Sequence, residues 1–155
     1  MTADDLSRRA LERIAQCNDP ADLRRLAENA KRLGNTEVRD AALRKLYAIS
    51  PEGEPGTLEH DVWQSIYALE GALKDERGKT VLLSRTRQKI ARDGEVRAVA
   101  DLVCSKTASD GYKMLIDRGW PELTFEAVAL RHPDCFDRAV LSAAKARLER
   151  TSSDR

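Results

Sequence analysis

Between residues 51 and 56 the chain reads Pro-Glu-Gly-Glu-Pro-Gly. Proline fixes φ and lacks an amide N–H, and glycine loses the most backbone freedom on ordering. Two of each within six residues predict that no helix or strand runs through. The rest of the chain must then fold on one side of this segment or the other. We read an N-terminal helical subdomain over 1–50, a linker over 51–56 and a C-terminal helical subdomain over 57–150, with 151–155 as a disordered tail. A length of 155 residues suits one domain or two small ones.

Both parts carry helical signals. Thr2 with Asp5 opens a first helix towards Cys17, and Asp19-Pro20 opens a second. The Asp side chain caps free N–H groups, and Pro sits where its missing N–H costs nothing. Leu23, Leu26, Ala27, Ala30 and Leu33 share one face, and Gly34 closes the segment. Asn35 or Thr36 starts a third helix, with Val38, Ala42, Leu46 and Ile49 inward. Helices this short, joined by tiny loops, pack antiparallel. The capped pair over 20–50 resembles the helix pairs of HEAT-like repeats in style.

Beyond the linker, Thr57 caps a helix reaching about Lys74, with Leu58, Val62, Ile66, Leu69 and Leu73 in one stripe. Further helices are expected over 81–93, 95–105, 110–118 and 121–131, and from Asp134 towards Arg150. Residues 121–131 are apolar nearly all round and predict a buried central helix. The fold class expected is all-α: about nine short helices in antiparallel pairs, an orthogonal or HEAT-like bundle in two subdomains.

Bulk composition narrows the function classes. No apolar run approaches the roughly 18 residues of a membrane span, so no membrane partner is expected. The first ten residues carry Asp4, Asp5, Arg8 and Arg9 and read against a secretory signal. Cys17, Cys104 and Cys135 stand far apart, and His60 and His132 are the only histidines. Free buried thiols are expected, with no metal and no cofactor. These features read as a cytoplasmic protein.

Net charge is +1, but the charges are segregated. Residues 51–73 hold five Asp/Glu and no Lys/Arg, whereas residues 74–92 hold seven Lys/Arg and two Asp/Glu. On a helical wheel over 84–92, Leu83, Thr86 and Ile90 face inward while Arg85, Lys89 and Arg92 face solvent. Lys79 lies in the preceding turn. Cations on one helix face neutralise phosphates and release counterions. Lys106 and Lys113 are outlying candidates, because 95–118 can be read as a helix-turn-helix or as two core helices. No aromatic side chain interleaves with these cations, so base stacking is not expected.

Three charges fall on apolar faces: Arg87, Glu70 and Glu126. A buried charge is costly unless paired. Arg87 is therefore expected to pair with Glu70 or Glu126, as a structural link rather than a catalytic centre. Gly78-Lys79-Thr80 has the ending of a phosphate-binding loop, but the earlier glycine would fall at Leu73 and no buried strand precedes it. Nucleotide hydrolysis by that route is rejected. No other nucleophile or paired-acid signature occurs, and both histidines are read as structural.

The leading expectation is a non-enzymatic nucleic-acid-binding or accessory domain, with DNA favoured over RNA. Its contacts would be Lys79, Arg85, Lys89 and Arg92, with Lys106 and Lys113 further out. The alternative is a protein–protein adaptor taking an acidic partner or forming a homo-oligomer. A small hydrolase using Glu70 or Glu126 is the third reading.

Overall fold

The computed structural model describes residues 2–153. Among these are nine α-helices, two short 3-10 turns and no strand. The protein is all-α, with helices paired as in a bundle. No helix among the described residues is long and apolar enough to cross a membrane. Contacts divide the chain into two compact units, meeting in sequence at Glu52 and Gly53.

The first unit holds α1 (Ala3–Gln16), α2 (Pro20–Arg32) and α3 (Thr36–Ile49). Each start is chemically fixed. Thr2 and Asp5 form a reciprocal capping box on α1. Asp19 caps α2 by accepting from the Ala21 N–H. Asn35 caps α3 through the Val38 N–H, and its amide donates at 2.8 Å to Ser7 Oγ on α1. Gly34 turns the chain between α2 and α3 at φ 73°, a conformation that suits glycine. Helix α3 packs against both α1 and α2. The apolar faces meet in a core that includes Ile14, Leu23, Ala42 and Leu46.

The second unit holds α4 (Leu58–Arg77), α5 (Ser84–Asp93), α6 (Glu95–Val103), α7 (Asp110–Asp117), α8 (Phe125–Arg131) and α9 (Arg138–Ser153). Helix α8 is central, touching α4, α6 and α9. Its Val128 and Ala129 are fully buried, with Val62 and Ile66 of α4 and Val99 and Val103 of α6 in the same core. Burial of each such Val or Ile side chain stabilises the unit by about 1.5–3 kcal/mol. Helix α7 also packs on α4, and Gly111 lets it approach closely: a Cβ there would lie 3.1 Å from Leu69.

Several boundaries differ from the sequence reading, each for a local reason. The helix expected from Val81 begins only at Ser84, and the Glu70 side chain accepts from the Leu83 N–H at its entry. The stretch expected as one helix over 121–131 is divided. A 3-10 turn over Pro121–Leu123 ends where Thr124 donates to the Pro121 carbonyl and caps α8 through the Ala127 N–H. The last helix starts at Arg138 rather than Asp134, and Asp137 accepts from the Val140 N–H. It continues to Ser153, so residues 151–153 are helical rather than a disordered tail. Thr151 is tied to the Tyr112 hydroxyl at 2.7 Å. Residues 154 and 155 of that expected tail lie outside the described residues. Of the thiols, Cys17 is half-buried while Cys104 and Cys135 are exposed, which corrects the expectation of burial.

Candidate functional site

The α4–α5 region of the second unit is organised by one carboxylate. Glu70 is 9% exposed on α4. It accepts from Arg87 Nε at 2.8 Å and from a terminal guanidinium nitrogen of Arg87 at 2.7 Å. The same carboxylate takes the Leu83 N–H at 2.8 Å, which fixes the entry into α5. The Arg87 guanidinium also lies over Trp63 at 5.3 Å and Tyr67 at 5.9 Å from the ring centroids. Trp63, Tyr67 and Glu70 follow one another at i, i+4 and i+7, so one face of α4 presents a cation site. The hydrogen bond to Glu70 raises the Arg87 pKa above its ordinary value. Of the two carboxylates considered for Arg87, Glu70 holds it.

Glu126 has a different partner. It is 3% exposed and accepts from Arg147 of α9 at 3.0 Å. Arg147 also donates to the carbonyls of Leu102 and Ser105 at the end of α6, and its guanidinium lies 5.9 Å from the Tyr112 ring. Burial raises the Glu126 pKa, and Arg147 opposes the rise. The sequence reading missed Arg147. A signal was present: Val140, Ala144 and Arg147 share one helical face, and all three are buried.

The basic positions separate into two groups. Lys89 is not on a solvated face; it meets Asp101 of α6 at 2.6 Å and Asp93 at 3.8 Å. Arg92 pairs with Asp93 at 3.1 Å. The hydrogen bond from Arg92 lowers the Asp93 pKa, and the one from Lys89 lowers that of Asp101. The Asp101 contact corrects the expectation that Lys89 faces solvent, because α6 brings a carboxylate against α5, whereas Arg92 does face solvent with its side chain 70% exposed. Lys79 and Arg85 are exposed and carry no ion pair among the described residues, and the same is true of Lys74 and Arg77 at the end of α4. The four lie around Gly78, whose left-handed conformation (φ 71°) ends α4. Gly78-Lys79-Thr80 is thus a helix end and its exit, with no strand before it.

Lys106 and Lys113 are exposed elsewhere, in the α6–α7 connection and on α7. Of the two readings of 95–118, the packing fits two core helices rather than a helix-turn-helix. Helix α6 packs mainly on α5, α8, α9 and α4, whereas α7 packs on α4 and the turn over Pro121–Leu123. The two histidines do converge on one carboxylate. His132 Nε2 lies 2.6 Å from Asp61 Oδ2, and His60 Nδ1 lies 3.8 Å from Asp61 Oδ1. Among the described residues no three His, Cys, Asp or Glu side chains are placed to hold a metal ion. No protein family, curated protein or solved structure matches the chain.

Proposed function

We propose that the second unit is a non-enzymatic nucleic-acid-binding module whose phosphate contacts lie at the α4–α5 corner: Lys74, Arg77, Lys79 and Arg85. One observation carries this reading. These cations are exposed and carry no ion pair among the described residues, while Lys89 and Arg92 beside them are held by Asp101 and Asp93. Cations without carboxylate partners release counterions from phosphate at no cost in broken ion pairs. Contacts of this kind position a duplex without reading its sequence.

The test is fluorescence anisotropy with labelled duplex DNA, single-stranded DNA and RNA at about 50 and 200 mM salt. With four phosphate contacts, log Kd for duplex DNA should change with log salt by a slope of about 3 to 4. The double variant Lys79→Glu, Arg85→Glu should abolish binding, and Lys106→Glu, Lys113→Glu reports whether the outlying cations take part. Absence of binding to all three probes at low salt overturns the proposal.

A second reading, an acidic protein partner or a second copy of this chain, is favoured by Leu82. It is 54% exposed within the same corner. Apolar contact of that kind loses little with salt, and Leu82→Ser would weaken it while leaving phosphate binding unchanged.

A further inference from the structure

In the second unit, residues of α4, α5, α6, α7 and α8 line a partly open cavity of about 110 Å³. Leu69, Leu102, Leu115 and Phe125 supply apolar wall, and Thr86, Ser109 and Glu126 supply polar edge. Close-packed interiors have few voids larger than a water molecule, and a somewhat larger engineered apolar cavity takes benzene. We propose that this cavity binds a small neutral molecule, no larger than benzene, with an apolar body and one O–H or N–H donor directed to the Glu126 carboxylate.

The polar groups set that chemistry. Glu126 Oε1 is occupied by Arg147 at 3.0 Å. A carboxylate has acceptor sites on both oxygens, so beside Arg147 and its own backbone N–H Glu126 keeps capacity towards the cavity it lines. Arg147 already balances its charge. An added anion would face a carboxylate, and an added cation would be buried without a counter-charge of its own; a neutral donor avoids both costs. Two hydroxyl side chains along the wall, Thr124 and Tyr112, are committed. Thr124 donates to Pro121 and accepts from Ala127, and Tyr112 bonds Thr151. Ser109 accepts from the Tyr112 N–H, which leaves its own O–H for a ligand lone pair. The pKa of Glu126, raised by burial, fits a carboxylate poorly served by water.

The experiment is a methyl-labelled NMR titration of the full chain with 1-butanol, and with sodium butyrate as an anion of the same chain length. With 1-butanol, saturable shifts are expected at the methyl groups of Leu69, Leu102 and Leu115, with a dissociation constant in the millimolar range. Butyrate should give none. Thr86→Leu fills the cavity from α5 and should weaken 1-butanol binding by about tenfold or more. Leu102→Met, which keeps side-chain volume nearly constant but changes its shape, is the second variant should Thr86→Leu not fold. It should alter the dissociation constant without abolishing the folded spectrum. Linear shifts without saturation, equal binding of butyrate, or identical binding by wild type and the folded variants would overturn the proposal. Water alone in the cavity gives the first of these results.

Discussion

Three ion pairs of the first unit join neighbours on the same helix. Arg8 pairs with Asp5, Arg25 with Asp22 and Arg44 with Asp40. In the second unit the main pairs join different helices: Glu70 to Arg87, Glu126 to Arg147 and Asp75 to Arg118. Exposed pairs of the first kind contribute about 0–1 kcal/mol each. A buried pair of the second kind adds little net stability over apolar packing, yet removing one partner is expensive. Each of these second-unit pairs ties a short helix or its end to one of the two long helices of the unit, α4 with 20 residues or α9 with 16. Helices α1–α3 have 13 or 14 residues, whereas α5–α8 have 7 to 10. Helices that short are marginal alone. Their placement rests on contacts made across the unit, and the charged links fix which contacts those are.

The comparison is broken most directly at Arg147. Arg147→Ala leaves Glu126 buried without its cation and frees the carbonyls of Leu102 and Ser105. Unfolding free energy should fall by about 3–5 kcal/mol. Both tryptophans, Trp63 and Trp120, belong to the second unit, so a denaturant titration followed by tryptophan fluorescence reads it selectively. The double variant Arg147→Met, Glu126→Leu should recover most of the loss, because an apolar pair replaces the ionic one. A single-variant loss below about 1 kcal/mol would place this link with the surface pairs.

Glu70→Ala should rank next, at about 2 kcal/mol. It removes two charge-assisted bonds to Arg87 and the one to the Leu83 N–H. The Arg87 side chain is 31% exposed, so water replaces part of what it loses, and the effect stays below that at Arg147. Trp63 emission should also change, because Arg87 lies over its ring.

These two sites also mark how much the sequence discloses. Periodicity placed Glu70 and Arg87 on apolar faces, and the structure joins them. It placed Glu126 inward as well, but the partner stands 21 residues later on α9. Arg147 could be found only by treating an arginine as part of an apolar stripe. Caps at Thr2, Asp19 and Asn35 were legible because they act within three residues. Lys89 was misread for the opposite reason: its carboxylate, Asp101, belongs to another helix, and no wheel drawn on one helix contains it. The pairing of His132 with Asp61 spans 71 residues and leaves no local trace.

In the first unit the largest polar effect should be smaller. Asn35→Ala removes the α3 cap and the contact with Ser7 on α1. A loss of about 1 kcal/mol is expected. Amide hydrogen exchange in α3 measures it where tryptophan fluorescence cannot. A loss equal to that at Arg147 would mean that the two units are not held in different ways.

The smallest effects should appear in the pH dependence, where buried and exposed acids carry opposite signs. Asp93 and Asp101 have pKa values lowered from 3.8 by Arg92 and Lys89. Their contribution is present above pH 3.8 and is lost as pH falls through the lower folded-state values. Both are exposed, so added salt should erase most of it. Glu126 has a pKa raised above 4.5 by burial. From pH 4.5 up to its folded-state value, the folded chain holds a proton that the unfolded chain has released. Stability from this group therefore falls as pH rises through that window. A carbon-detected NMR titration should find the Glu126 carboxyl midpoint above 4.5. In Glu126→Gln the falling limb should vanish, while the acid limb from Asp93 and Asp101 remains. A Glu126 midpoint at or below 4.5 would mean that Arg147 outweighs burial and that this buried pair titrates like those on the surface.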